Sequence, residues 1–172
     1  ELEGEFRDDG ATVDPTASPV LKQALQVGVL CNNASLEQGD GEVNAVGDPM
    51  EAALLVAGAK AGLERQALVQ EYPEVREVAF DPEVKMMATF HESDQGYRVA
   101  VKGALEAVLD VSARVLTADG EHELDEPERE QWRQRNEQMA EDGLRVLALA
   151  TKRVEARDAD PYQDLSFLGL VA

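Results

Sequence analysis

The stretch Glu74–Gly103, with the sequence EVREVAFDPEVKMMATFHESDQGYRVAVKG, decides the fold of this chain. It is rich in Val, Met and aromatic residues that partly alternate with polar ones, a pattern typical of strands. The pattern predicts strands over residues 74–80, 85–91 and 97–102. Ser93-Asp-Gln-Gly96 between the last two is typical of a hairpin turn, so we expect an antiparallel sheet at the centre of the fold.

Helix signals lie on both sides of this stretch. Ser18-Pro19 and Asp48-Pro49 each combine a capping side chain with a proline that suits the first helical turn. The predicted helices span about 19–31, 49–61, 64–71, 104–113 and 127–141, and further strands follow at 144–154 and 165–171. This order predicts an α+β fold, a largely antiparallel twisted β-sheet flanked by helices.

A chain of 172 residues is long enough for one domain with a real core. Residues 1–18 are acidic and lack a sustained period, which indicates an irregular lead-in, and residues 19–172 are then expected to form a single domain. The Gly- and Asn-rich segment 32–46 is expected to be a loop with a short strand near Val43. Because the chain lacks an initial Met and ends on the apolar Phe167–Ala172, we expect it to be a fragment of a larger protein.

Charge and composition exclude several functions. The chain has 16 basic and 35 acidic residues, a net charge of −19, whereas nucleic acids and anionic membranes bind basic surfaces. No apolar run approaches the roughly 20 residues that span a bilayer. His91 and His122 lack metal-ligand spacing and are expected on the surface, and no Ser-His-Asp pattern or phosphate-binding glycine loop is present. We therefore expect no metal site and no catalytic residue in this chain.

Two lysine segments indicate a nucleotide site instead. Phe80 precedes Lys85 by five residues, and Gly103 directly follows Lys102. An aromatic ring can stack on a flat base, and a glycine at a strand end lets a ligand or another backbone approach closely. In a chain this acidic, a phosphate must be bound by a few placed cations. The alternative is that Phe80 is a core residue, Lys85 a solvated one, and Gly103 merely part of a strand-to-helix turn.

Glu51 and Arg145 are the other candidates for this site. Glu51 lies three residues after Asp48, where the carboxylate of a capping box belongs, and that role alone would explain it. Arg145 opens the apolar segment 144–150 and needs a partner there. A phosphate is a good partner for a guanidinium, and one of the many carboxylates would serve as well.

Five segments in this order resemble the nucleotide-binding (N) domain of P-type cation-transporting ATPases, most of all that of bacterial pumps of the calcium-transporting type. They are Leu30-Cys-Asn-Asn-Ala34, Gly47-Asp-Pro-Met-Glu-Ala-Ala-Leu54, Phe80–Met87, Val101–Glu106 and Gly143-Leu-Arg-Val-Leu-Ala-Leu-Ala150. The likeness covers residues 19–172, and the closing strand resembles the one that leads back to the phosphorylation domain. Each motif alone is weak, but five of them in order are specific.

The resemblance implies that the chain binds ATP. The residues that would bind it are Glu51, Phe80, Lys85, Lys102, Gly103 and Arg145. Phe80 would stack on adenine, and Glu51 would lie near the amino edge of the base. The two lysines would line the pocket, the glycine would leave room for the nucleotide, and Arg145 would reach the phosphates.

Three departures from the family pattern lie close to this site. Met50 stands where the family usually has threonine, so a contact through that hydroxyl is lost. Leu105 replaces the usual proline after Lys-Gly-Ala, which loosens the preset start of the following helix. Pro82 and Glu83 occupy positions that are often polar or basic, so an extra cation beside the phosphates is missing.

The resemblance also implies a larger enzyme around this domain. The partners implied are ATP, as Mg-ATP in the full-length protein, and the phosphorylation and actuator domains of the same polypeptide. The domain would be the cytoplasmic part of an integral inner or plasma membrane protein, without membrane contact of its own. The phosphorylated aspartate of the family lies in a D-K-T-G-T sequence that these 172 residues lack. We therefore expect this chain to bind ATP and present its γ-phosphate without hydrolysing it.

Two other functions compete with this interpretation. The first is a non-catalytic acidic interaction module that retains the fold without nucleotide binding. The second is a freestanding hydrolase, which would need catalytic groups that the sequence does not contain.

Overall fold

The structure, a computed structural model, describes residues 4–39 and 42–172. Its helices are α1 (Pro19–Leu30), α2 (Pro49–Lys60), α3 (Arg65–Glu71), α4 (Leu105–Asp110) and α5 (Glu126–Glu141). Its strands are β1 (Phe6–Asp8), β2 (Ala11–Val13), β3 (Ser35–Gly39), β4 (Glu42–Val46), β5 (Glu74–Asp81), β6 (Met86–Ser93), β7 (Gly96–Gly103), β8 (Ser112–Thr117), β9 (Gly120–Glu123), β10 (Leu147–Val154) and β11 (Leu165–Val171). Across the described ranges, we find no helix with both the length and the hydropathy needed to cross a membrane.

A seven-stranded sheet forms the centre of the fold, with the strand order β5-β6-β7-β10-β11-β8-β9. Strands β11 and β8 run parallel, and the other neighbouring pairs run antiparallel. The three strands and the hairpin predicted from Glu74–Gly103 are confirmed, since β5, β6 and β7 are consecutive neighbours. The α+β fold with a largely antiparallel sheet and flanking helices is therefore confirmed.

Both faces of the sheet are covered. Alternate residues of β6 enter two separate cores, with Phe90 in one and Met87 in the other. The first core packs against α4, where Val108 and Leu109 are fully buried. The second core packs against α1, α2 and α3. Because both faces are buried, the central strands contain nearly continuous apolar residues rather than a strict alternation.

The predicted helix starts are formed as expected. The hydroxyl of Ser18 accepts a hydrogen bond from the N–H of Leu21 at 3.3 Å, which caps α1. The carboxylate of Asp48 accepts from the N–H groups of Met50 at 2.9 Å and Glu51 at 3.3 Å, which caps α2. Such caps are each worth about 1 kcal/mol of stability. They fix where α1 and α2 begin and therefore where Glu51 lies.

Three short hairpins differ from the prediction. In the segment 1–18, predicted to be irregular, β1 and β2 pair with each other. The predicted loop 32–46 contains the hairpin β3–β4 rather than one short strand. After residue 110 the predicted helix gives way to β8 and β9. Strands β1, β2 and β9 are short and mostly exposed, so no apolar alternation was available to predict them, whereas β8 directly follows α4 and contains the buried Val115.

His91 corrects a further expectation, because it is fully buried in β6 rather than on the surface. Its Nδ1 lies 3.0 Å from the carbonyl oxygen of Tyr72, and its Nε2 lies 2.8 Å from the hydroxyl of Thr89. Burial, together with the positive charges of Arg98 and Arg65, lowers the pKa of His91 to about 4. The imidazole is therefore neutral in the folded protein at pH 7.

We predict that this buried histidine destabilises the protein in acid. Between pH 6.5 and about 4, His91 binds a proton in the unfolded chain but not in the folded one. Lowering the pH in this window therefore costs stability, at about 1.4 kcal/mol per pH unit. Urea unfolding of wild type and His91→Gln at pH 4.5–7 should show that difference in slope. The half-exposed His122 supplies the control His122→Gln, and equal slopes for all three proteins would contradict the prediction.

Candidate nucleotide site

One end of the central sheet brings the predicted segments together. Met86 at the start of β6 is paired with Gly103 at the end of β7, and Gly103 is paired with Ala148 of β10. These strands alternate in direction. The segment before β6, the segment after β7 and the segment before β10 therefore meet at the same end of the sheet. The turn 81–85 and the segment 144–146 therefore both lie beside the last residues of β7.

Glu51 and Lys102 form an ion pair across the interface between α2 and the sheet. Lys102 is 7% exposed and lies on the face of β7 that α1 and α2 cover, in register with Met87 and Leu149. The two paired side chains are 8% and 15% exposed. Glu51 thus directs its carboxylate to Lys102, while Asp48 alone caps the helix.

The loop after α1 holds Glu51 from a second side. The N–H of Asn33 donates to the other carboxylate oxygen of Glu51 at 3.2 Å, and the side-chain amide of Asn32 donates to the Glu51 carbonyl at 2.8 Å. Asn32 is fully buried and also donates to the carbonyl of Gly28 at 3.1 Å. The segment 30–34 contributes to the family resemblance, but its sequence did not predict these contacts of the two asparagines.

Phe80 and Lys85 lie at the two sides of the turn between β5 and β6. Phe80 is 59% exposed, so the alternative that it is a core residue does not fit the structure. The turn is closed by a 2.6 Å hydrogen bond from the N–H of Lys85 to the carbonyl of Asp81. Lys85 is exposed and has a positive φ of 59°. An exposed aromatic ring can stack on a base, and an exposed ammonium group can attract its phosphates.

Gly103 allows a close approach of two strands. A Cβ at this position would overlap the carbonyl oxygen of Lys85 and lie 3.0 Å from Cα of Met86. The same carbonyl accepts a 3.0 Å hydrogen bond from the N–H of Ala104. Of the two options left open by the sequence, a ligand or another backbone, the structure contains the backbone contact. Gly103 thereby keeps Lys85 next to the end of β7.

Arg145 does not open a strand, because β10 begins at Leu147. Arg145 is exposed in the segment between α5 and β10, so it does not need the partner that a buried guanidinium would require. Neighbouring Leu144 is also 49% exposed. The structure therefore corrects the argument for Arg145 but places it at the same sheet end as Gly103, where its cation is free to meet an anion from solvent.

The three departures from the family pattern have local explanations. Met50 contributes its N–H to the Asp48 cap, a contact that does not depend on the side chain. Leu105 is 3% exposed and belongs to the core beneath α4, which compensates for the lost proline. Pro82 and Glu83 lie in the exposed turn, and the N–H of Glu83 donates to the Asp81 carboxylate at 2.8 Å.

Other reactive groups close to the site are inert or absent from the described residues. Burial raises the pKa of the Cys31 thiol to about 12, so the sulfur stays protonated and is a poor nucleophile. Its thiol lies 3.5 Å from the carbonyl of Met87, to which it donates. Within residues 4–39 and 42–172 no cluster of His, Cys, Asp and Glu is arranged to hold a metal ion.

A cavity of about 670 Å³ lies away from this sheet end, between the β3–β4 hairpin and helices α2 and α3. Its apolar walls include Leu36, Leu55 and Val69, and Arg65 contributes to its polar rim. None of the six residues predicted to bind the nucleotide is among the residues that line it. The predicted site therefore lies outside this cavity.

Comparison with known proteins identifies a family. The family described as "P-type ATPase, cytoplasmic domain N" has a model that matches residues 20–172. The cation-transporting ATPase pma1 of Synechocystis is 38% identical over 88% of this chain, and the sodium/potassium exporting P-type ATPase cta3 of Schizosaccharomyces pombe is 37% identical over 90%. The calcium-transporting ATPase of Bacillus subtilis is 31% identical over 99%.

The matched part of each relative is small. This chain spans 17%, 15% and 20% of the lengths of these three proteins. Two of the names specify different ions, sodium/potassium and calcium, and the third specifies only a cation. The similarity therefore concerns one domain, and the ion named for each relative belongs to that relative alone.

We predict that Gly103→Ala destabilises the folded protein by about 1–3 kcal/mol, because the new Cβ meets backbone atoms that cannot move aside. Urea unfolding would measure the change. Gly28→Ala in α1 is the matched control, since its Cβ meets the movable Cδ2 of Leu54 at 3.2 Å and the helix gains propensity. If Gly103→Ala proved as stable as wild type, the close approach of Lys85 and Gly103 would be refuted.

Proposed function

Since this chain belongs to the family of the P-type ATPase cytoplasmic domain N, we propose that residues 19–172 form one ATP-binding domain of a cation-transporting pump. The domain binds ATP and presents its γ-phosphate to a phosphorylation domain of the same polypeptide. The observation that carries this proposal is the Glu51–Lys102 ion pair at the end of the sheet to which the strand pairing also brings the exposed residues Phe80, Lys85 and Arg145.

The proposed base end combines stacking with one polar contact. Phe80 stacks on adenine, a contact worth about 1–3 kcal/mol per base. Glu51 accepts a hydrogen bond from the 6-amino group of adenine, because an ionised carboxylate is an acceptor only. Lys102 neutralises the charge of Glu51, so this carboxylate does not repel the phosphates of the same nucleotide.

The proposed phosphate end consists of exposed cations. Lys85 and Arg145 are both exposed and reach the phosphates from the turn 81–85 and the segment 144–146. In a chain with a net charge of −19 these placed cations act only locally, since charges are screened over about 8 Å at physiological salt. Gly103 contributes by holding Lys85 beside the end of β7.

This arrangement of base and phosphate contacts predicts that the chain alone binds ATP weakly. Stacking and a few exposed cations without a second domain correspond to a Kd on the order of 0.1–1 mM, or about −4 to −5.5 kcal/mol. The chemistry of hydrolysis, with Mg²⁺ and the phosphorylated aspartate, belongs to other parts of the full-length enzyme, as do the actuator domain and the membrane part that carries the ion. The domain itself faces the cytoplasm, and the chain alone is not expected to release phosphate.

We predict that Phe80→Ala weakens ATP binding about tenfold, the loss of about 1.4 kcal/mol of stacking. Titrating ATP while recording ¹H–¹⁵N spectra of the amides would measure the affinity. Phe80 is a clean position for this test, since a ring that is 59% exposed contributes little to the core. Val46→Ala, at a residue that is 51% exposed on β4, is the matched control and should bind ATP as wild type does.

The same titration separates the competing functions. Absence of ATP-dependent shifts in wild type at millimolar ATP would favour the acidic interaction module. Phosphate release by the purified chain would favour the hydrolase. Wild-type binding that survives Phe80→Ala unchanged would leave ATP binding in place but refute the assignment of Phe80.

A further inference from the structure

We propose that Arg65 is a positioning residue that sets the preference of the site for adenine over guanine, acting on Glu51 through the peptide group between Asn32 and Asn33. The proposal rests on the proposed function, because it concerns the base end of the same site. Arg65 is the first residue of α3 and was not singled out by the sequence.

A single peptide group joins Arg65 to Glu51. The guanidinium of Arg65 donates from Nη2 to the carbonyl oxygen of Asn32 at 2.8 Å. The N–H of Asn33, at the other side of the same planar amide, donates to Oε2 of Glu51 at 3.2 Å. A cation on the carbonyl polarises the amide and strengthens its N–H as a donor, as consecutive hydrogen bonds do in low dielectric.

Asn32 prevents this peptide group from rotating. Its side chain is fully buried, and its amide donates to the carbonyls of Gly28 in α1 and Glu51 in α2. Its side-chain oxygen accepts from the N–H of Ala34 at 2.9 Å. The three hydrogen bonds of the Asn32 side chain hold the loop in one conformation, and this conformation sets the direction of the Asn33 N–H.

The state of the guanidinium fits a positioning role better than a stabilising one. Arg65 is half-buried, and its Nε is buried without an acceptor among the described residues. Within those residues its hydrogen-bond acceptor is the Asn32 carbonyl, not a carboxylate. An unpaired buried donor costs stability, so a simple structural role would be better served by an apolar side chain.

The consequence for the base follows from which atoms of Glu51 are already engaged. Lys102 binds Oε1 and Asn33 binds Oε2, which fixes the plane of the carboxylate. The remaining acceptor capacity then has a defined direction, suited to the 6-amino group of adenine. Guanine presents an oxygen at this position, which a carboxylate repels. A carboxylate free to rotate would discriminate less between the two bases.

The test compares ATP and GTP affinity in Arg65→Met. We expect its ATP/GTP preference to fall about fivefold, the factor that corresponds to roughly one hydrogen bond, with GTP affinity little changed. Lys60→Met is the matched control, because it removes the same charge from an exposed residue at the far end of α2. Arg65→Lys should restore part of the preference, since an ammonium group also binds a carbonyl. In a Glu51→Gln background, Arg65→Met should have no further effect on the preference.

A second readout does not require a nucleotide. In nucleotide-free Arg65→Met, the amide proton of Asn33 should shift upfield as its bond to Glu51 weakens, whereas Lys60→Met should leave it in place. If wild type binds neither nucleotide, the proposed function fails, and this shift still decides whether Arg65 positions Glu51. The proposal is overturned if Arg65→Met keeps both the ATP/GTP preference and the Asn33 amide shift of wild type, even if its melting temperature falls.

Discussion

The ion pair between Glu51 and Lys102 is the contact on which the arrangement of the site depends. It joins the first turn of α2 to the end of β7 and thereby links the helix layer to the sheet. Breaking such a buried pair by removing one partner typically costs about 3–5 kcal/mol, because the other charge stays buried. In a chain with a net charge of −19, the pair also makes an acidic group compatible with the proposed phosphate site, since Lys102 offsets its charge.

The candidate residues around this pair fall into a buried group and a solvent-exposed group. Glu51 and Lys102 are almost fully enclosed, and Glu51 accepts hydrogen bonds from Asn32 and Asn33 in the loop between α1 and β3. The cations proposed for the phosphates are solvent-exposed. This arrangement suits the proposed function, in which the domain holds the base in one orientation while the phosphates stay accessible to another domain. In the proposed site, the enclosed groups orient the base and the exposed cations attract the phosphates.

Much of this architecture could be predicted from the sequence, for physical reasons that are specific to each element. Strands β5 to β7 follow from their apolar composition, and α1 and α2 follow from Ser18-Pro19 and Asp48-Pro49, because caps are local signals. The hairpins β1–β2 and β3–β4 could not be predicted, since exposed strands carry no apolar period, and the partly buried β8 directly follows the helical segment that precedes it. Five of the candidate residues meet around the end of β7, where three antiparallel strands bring distant segments together, and Arg145 lies at the same sheet end although it precedes its strand. Arg65 could not be found, because its link to Glu51 passes through a backbone amide that no sequence pattern reports.

The central claim is that the nucleotide base lies on Phe80 beside Glu51, at the end of the sheet. Intermolecular nuclear Overhauser effects between ATP and the isotope-labelled chain test this most directly. The account predicts contacts from the adenine protons to the ring of Phe80, and from no residue of the cavity between the β3–β4 hairpin and helices α2 and α3. Adenine contacts to Leu36 and Val69 in that cavity, with none to Phe80, would contradict the account.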